Sequence, residues 1–219
     1  CSSDLGGRAL GMGEAYSAIA ADPSATYYNP AALSLSKKSQ LLLMHKEYFQ
    51  GTKTENIAAA TSIGQFSLGI NVNATTISDI ELHPVPGPAV GIFTARYASI
   101  GVSCAYEFDS TLSVGITGKY LFEKIFVDEA SGIAFDLGGI YMTPWDVRVG
   151  IAVSNLGSVN ELRNEATKLP QTIRVGAGYS TPLDQLDGIL TTTADIVSIT
   201  GKSKTHFCLG GEDRKSTRL

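Results

Sequence analysis

The residues able to do chemistry are three histidines, two internal cysteines and a set of evenly spaced charges. A metal site needs ligands at short spacings that bring them to one point. His45, His83 and His206 are scattered through the 219 residues, and Cys104 and Cys208 have no metal-type spacing either. Both cysteines fall inside strand-like text, where they read as small apolar residues. Gly11-Met12-Gly13 lacks the preceding strand that a dinucleotide-binding loop requires. With no catalytic constellation, the sequence predicts a protein that is not an enzyme and holds neither cofactor nor metal. What remains is a row of charges: Lys119, Glu123, Asp136, Arg148, Arg174, Asp195, His206 and Glu212. They share the polar side of an alternating pattern. Such a face can bind or conduct a substrate, or its charges can pair with one another and fill an interior. Charges inside a protein must be paired or hydrated, which favours pairing.

The alternation that positions these residues has a period of two from about residue 39 onward. Leu112, Val114, Ile116, Gly118, Tyr120 and Phe122 fall on one face, with Ser113, Gly115, Thr117, Lys119 and Glu123 mostly on the other. Ile133, Phe135, Leu137 and Tyr141 alternate with Ala134, Asp136 and Gly138. Val147, Val149, Ile151 and Val153 alternate with Arg148, Gly150 and Ser154. Ile173, Val175 and Tyr179 alternate with Arg174, Gly176 and Gly178. In a soluble sandwich the apolar face would be the core. In a transmembrane barrel it would meet lipid while the polar face lined the lumen. Alternation alone allows both.

Ten strands are expected, near 39–48, 54–62, 65–76, 93–106, 111–127, 132–143, 147–155, 171–180, 189–199 and 203–212. Gly64 to Gln65, Phe108 to Ser110 and Pro144 to Asp146 read as tight connections. Ser78 to Ile92, with its Pro84-Val85-Pro86-Gly87-Pro88 run, and Leu156 to Pro170 read as long loops at the opposite end. Short turns at one end and long loops at the other suit an outer-membrane barrel. Strands of roughly 9–12 residues suit a tilted membrane crossing. Tyr48, Phe49, Tyr106, Phe126, Tyr141 and Trp145 lie near strand ends, where girdle residues sit. Charged residues are 17%, below the ~25% usual for soluble domains, and the formal net charge is −4. This mild acidity argues against a nucleic-acid surface. No stretch is apolar enough for a transmembrane helix.

Residues 6–38 differ from the rest. Gly6 to Gly13 is Gly-rich, Glu14 to Ala21 reads as a short Ala-rich helical run, and Asp22-Pro23 and Asn29-Pro30 are turn and helix-start signals. Asn29 can cap a short helix with Pro30 in its first position and Ala31 packed close. Asn155 with Leu156-Gly157 reads as a turn.

The stretch Gly7-Arg8-Ala9-Leu10-Gly11-Met12-Gly13-Glu14-Ala15-Tyr16, followed by Ala18 to Leu33 with its Asp22-Pro23 and Asn29-Pro30-Ala31, resembles the start of the PorV/PorQ group of outer-membrane proteins, which are similar to FadL-type barrels. Ala134-Phe135-Asp136-Leu137-Gly138, Val153-Ser154-Asn155-Leu156-Gly157, Leu169-Pro170 and Gly210-Gly211-Glu212 continue the resemblance in order. It implies an antiparallel transmembrane β-barrel in a bacterial outer membrane, with residues 6–38 as a small N-terminal plug whose motif is Asp22, Asn29, Pro30 and Ala31. About ten of fourteen strands would lie in 39–212. The implied function is a type IX-like secretion shuttle or assembly component, with outer-membrane lipid and secretion-system proteins as partners. The alternatives are a FadL-like channel for small hydrophobic compounds and a soluble structural β protein.

The termini carry a separate expectation. Cys1 to Leu5 and Asp213 to Leu219 back-translate to strings that are reverse complements within their overlap and look like a short-read sequencing adapter. Residues 1–5 and 213–219 are therefore expected to be adapter-derived and are set aside from fold reasoning.

Overall fold

Apolar–polar alternation over segments this long makes strands, and the computed structural model of the chain is all-β. It describes residues 6–49, 51–83, 86–162, 165–183, 188–200 and 205–215. The strands are β1 (Gln40–Glu47), β2 (Thr52–Ile63), β3 (Phe66–Leu82), β4 (Gly91–Glu107), β5 (Leu112–Ile125), β6 (Asp128–Met142), β7 (Val147–Leu162), β8 (Glu165–Lys168), β9 (Thr172–Leu183), β10 (Gly188–Ile199) and β11 (Thr205–Lys215). Every pairing is antiparallel. Ten strands form one open sheet in sequence order, with β8 paired to β7 off that path. Each of the ten expected strands is present.

Two expected long loops are largely strand. β3 runs on to Leu82 and β4 begins at Gly91, so the two pair well beyond the expected ends at Thr76 and Phe93. β7 likewise continues to Leu162 and pairs with β8. The expected turn at Asn155 is a bulge inside β7, with Asn155 at φ 65 and the register slipping opposite Phe135–Leu137. Asn tolerates this left-handed conformation, so a turn-type residue can sit within a continuous strand. Residues 84–85 of the proline-rich run, 163–164, 184–187, 1–5 and 216–219 lie outside the described residues. Asp213, Arg214 and Lys215 continue β11 against Leu190, Ile189 and Gly188 of β10.

Residues 6–36 form α1 (Gly7–Gly11), α2 (Ala25–Tyr28) and a 3₁₀ turn, Pro30–Leu35. The helix expected over Glu14–Ala21 does not form; turns occupy that stretch. Its backbone is spent elsewhere: Glu14 takes φ 64, and the N–H groups of Tyr16 and Ser17 donate to the Asp195 carboxylate on β10. Tertiary contacts thus override a local helical preference that is weak to begin with.

This segment touches both edges of the sheet. The Gly6 N–H reaches the Met44 sulfur of β1, and Arg8 reaches Glu212 of β11. Ten strands spaced ~4.8 Å apart would lie ~43 Å across if flat, so the sheet must curve around the segment to meet it at both edges. The buried apolar cluster is correspondingly unusual. Met12, Tyr16, Ile19, Tyr28, Ala31 and Leu33 form it with neighbouring alanines, and among the described residues the strands add only Ala105 and Ile140 as buried members.

The face turned to the segment is polar and the opposite face is apolar. On β5, Ile116 is 47% exposed while Thr117 beside it is 1% exposed. Val102, Ile133, Leu137, Ile151 and Val175 are exposed on the same outer face, whereas Ser103, Asp136, Arg174 and Asp195 are buried on the inner one. The side that alternation made apolar is the outward side.

Candidate functional site

The inner face does two things: it seats the N-terminal segment, and beyond that segment it encloses a cavity. The seat depends on glycines. A Cβ on Gly115 would stand 2.4 Å from the Ala31 nitrogen, one on Gly150 2.6 Å from the Ser17 carbonyl oxygen, and one on Gly210 2.3 Å from the Met12 carbonyl oxygen. Only residues without side chains let the segment's backbone approach the strands this closely.

Asn29 is the central fastener. Its side-chain amide donates to the carbonyls of Ser17 at 2.9 Å and Gly139 at 3.1 Å, and its carbonyl oxygen accepts the Ala31 N–H at 3.1 Å. The residue thus caps the 3₁₀ turn, with Pro30 in first position, and ties it to β6. Asp22 takes the Tyr16 hydroxyl at 2.5 Å and the Ser24 N–H at 2.9 Å. Arg8 completes the seat. Its Nε and Nη2 donate to the two Glu212 oxygens at 2.9 and 2.7 Å, a bidentate fork, and its Nη1 donates to the Tyr16 hydroxyl at 2.9 Å.

Burial first, and then the Asp22 carboxylate, push the Tyr16 phenol far above its ordinary range; Arg8 opposes this only in part. A phenol whose proton is held more tightly in the folded state adds stability that is present below its unfolded value of about 10 and is lost as pH rises through the higher folded value. In an alkaline titration followed by phenolate absorbance, we expect Tyr16 to stay protonated until the fold is lost. Tyr16→Phe should lower the amplitude of that late step by one of the nine tyrosines.

The charged residues expected on the polar face fall into separate groups. Asp195 is 2% exposed and takes the Tyr16 and Ser17 N–H groups at 3.1 and 2.9 Å. Arg174 is buried, with its guanidinium carbon 5.2 Å from the centre of the Tyr28 ring. Arg148 is half-buried within electrostatic reach of Arg8. His206 lies on β11, an edge of the sheet, and is exposed. Lys119 on β5 and Asp136 on β6 make an ion pair at 2.7 Å. Arg8 and Tyr16 were not among the expected site residues. The available signal was that Arg8 is the one basic residue between positions 6 and 36.

Lys119 also donates to the Asn155 side-chain oxygen at 2.7 Å, and Asp136 accepts the Asn155 N–H at 2.8 Å. The β7 bulge makes this possible by turning Asn155 inward. Above this trio lies a cavity of about 470 Å³. One wall is polar, from Asn71, Asn73 and Thr75 of β3, Ser99 of β4, and Thr117 and Lys119 of β5. The other is more apolar, with Leu121, Val159, Leu169 and Pro170, and Thr26 and Tyr27 of the N-terminal segment also line the space. Glu123 lines it as well and accepts a hydrogen bond from the Tyr97 hydroxyl. Among the described residues, no three His, Cys, Asp or Glu side chains are grouped to hold a metal ion.

A curved antiparallel sheet, apolar outside and polar inside, wrapped on an N-terminal segment, defines the class of protein. The model of the family described as "Uncharacterised protein family (UPF0164)" matches residues 2–132, more than half of the chain, and the chain belongs to that family. No curated protein matches it.

Proposed function

We propose that the chain is part of an outer-membrane β-barrel whose interior is occupied by residues 6–36 as a plug, and that it serves as a secretion partner rather than an open pore. The inverted burial carries this reading. Leu112 to Phe122 on the outer face of β5 is ten residue steps, ~33 Å along the strand, or about 25 Å across a bilayer at a tilt of ~40°. Beyond this band the outward positions become charged, with the Lys124–Glu129, His45–Glu55 and Lys53–Glu47 pairs. At its other end Phe66, Tyr106 and Phe108 cluster, with the Phe66–Tyr106 and Tyr106–Phe108 ring centroids 5.0 and 4.9 Å apart, and Tyr141 and Trp145 are exposed beside the β6–β7 turn. So large an exposed apolar surface is a liability in water and an asset in lipid. An open edge in lipid would leave backbone groups unpaired, so the reading requires β1 and β11 to find strand partners there. A filled interior favours a partner role with secretion-system proteins over free conduction. The cavity beside the plug is the one observation that favours the alternative, uptake of small hydrophobic compounds.

Ile116→Arg tests the membrane reading. It should cost about 2–4 kcal/mol in lipid vesicles, as for a charge facing the mid-bilayer, while Thr61→Arg, nearer a strand end, should cost less. Urea unfolding followed by heat-modified gel migration measures both. Equal, near-zero costs would sink the membrane reading. For the role itself, crosslinking in cells should capture secretion components; recovery of the chain alone in the outer-membrane fraction would favour uptake.

A further inference from the structure

We propose that the cavity is a binding site for a small uncharged, hydroxyl-rich molecule of mono- or disaccharide size. Its volume of about 470 Å³ falls within the ~300–1,000 Å³ usual for small-molecule sites. The inference rests on the inner-face geometry and holds whichever partner the barrel serves.

The first observation is a register row. Asn71 of β3 pairs with Gly101 of β4, and Gly101 pairs with Lys119 of β5. Asn71 and Lys119 therefore flank a position without a side chain, and all three line the cavity. The Asn71 side-chain nitrogen is buried and has no hydrogen-bond partner. Lys119 has three N–H donors, two of them engaged by Asp136 and Asn155. A ligand oxygen seated over Gly101 would satisfy the Asn71 amide and the third Lys119 donor together. A buried donor left without a partner costs about 1–3 kcal/mol, so a ligand that takes it gains affinity.

Charge then decides the class. Among the described residues, Lys119 and Glu123 are the charged side chains lining the cavity. Lys119 is already neutralised by Asp136, and Glu123 has the neutral Tyr97 hydroxyl as its partner, so the described lining is net negative. A carboxylate or phosphate ligand would meet a net negative surface, and an ammonium, which has no acceptor, would leave the Asn71 amide and the third Lys119 donor unfilled. A neutral hydroxyl oxygen serves both donors. Glu123 supplies an acceptor for a ligand hydroxyl, and the Leu169 and Pro170 side offers apolar cover for a C–H face. Acceptors, donors and an apolar face on one neutral molecule describe a polyol or sugar.

Saturation-transfer NMR on the purified chain in a micelle free of sugar headgroups tests this. N-acetylglucosamine and maltose are the neutral probes, with glucosamine as the cationic probe and decanoate as the apolar anion. Transfer should be seen to a neutral sugar and exceed that to glucosamine or decanoate. Losing one hydrogen bond worth about 1.4 kcal/mol weakens binding about tenfold, the effect expected of Asn71→Leu. Gly101→Ala should weaken binding by filling the notch. Asn71→Leu removes a side-chain nitrogen that bonds nothing within the protein, so it remains informative if Gly101→Ala fails to fold; heat-modified migration reports folding for both. Transfer to decanoate or glucosamine without transfer to a sugar, no transfer to any probe, or sugar binding unchanged in the folded variants would each overturn the proposal.

Discussion

Lys119→Met is expected to destabilise the fold by about 3–5 kcal/mol, the usual cost of leaving one member of a buried ion pair alone. Asp136 is 1% exposed and its second oxygen lacks a protein partner, so without the ammonium the carboxylate keeps only the Asn155 N–H. Asp136→Asn alone should cost less, since an amide oxygen can still accept the Asn155 N–H and the Lys119 ammonium it leaves unpaired is less buried than Asp136 and keeps its bond to the Asn155 side-chain oxygen. The double variant Lys119→Met/Asp136→Asn should therefore be more stable than Lys119→Met by more than about 1 kcal/mol. A double-mutant cycle by urea unfolding, with Trp145 fluorescence as the signal, measures this. Purely additive costs would mean that the pair is not coupled, and the charged inner face would then have to be explained by something other than pairing.

Most of the architecture was legible because the period-two signal is carried by whole strands. Leu112 to Phe122 names its own two faces, and the same holds from Ile173 to Tyr179. Which face points outward was not legible, because a sandwich and a barrel write the same alternation; burial of Thr117 and Asp136 against exposure of Ile116 and Leu137 shows that the polar face is the inner one. The boundary errors also have physical causes. Ser78 to Ile92 contains Asp79 at φ 57 in a register slip, then Ile80 to Leu82 back in strand. A bulge interrupts the pattern as a turn would, yet the ladder resumes after it. Asn155 misleads in the same way, and its bulge is what brings it to Lys119.

The site was only partly legible. Asn29 was readable as a cap because capping is local chemistry. Its bond to Gly139 was not, because nothing in the sequence places residue 139 beside residue 29. Arg8 and Glu212 are further apart still, and their fork is visible only once the sheet has curved. The eight charges expected on one face serve several jobs: Glu212 and Asp195 hold the segment, Arg174 stacks on Tyr28, and Lys119 and Asp136 pair beneath a cavity. Shared parity predicts a shared face. It does not predict shared function, because a strand that spans the protein visits its whole depth.

Asn29→Ala is expected to cost at least about 3 kcal/mol, because it strands the Ser17 and Gly139 carbonyls and the Ala31 N–H, each buried group at ~1 kcal/mol or more. Gly138→Ala attacks the same contact from the other side: its new methyl would stand 2.1 Å from the Asn29 side-chain oxygen and 2.9 Å from the Pro30 ring, so the segment must lift or the strand must bend. The two substitutions should not add. Once residue 29 is alanine, the closest obstacle to the methyl is gone and only the Pro30 and Ala31 contacts at 2.9 and 3.1 Å remain, so the double variant should be less destabilised than the sum of the two single variants. Trypsin gives a second reading of the same event, because it can cut at Arg8 only when the segment leaves its seat. Both single variants should be cleaved there faster than the parent, while heat-modified migration shows the sheet still folded. If instead Asn29→Ala loses the sheet and the segment together, the segment is the core on which the strands assemble. The concentration of buried apolar residues in positions 9–33 would then weigh more than the glycine seat in explaining why the fold needs them.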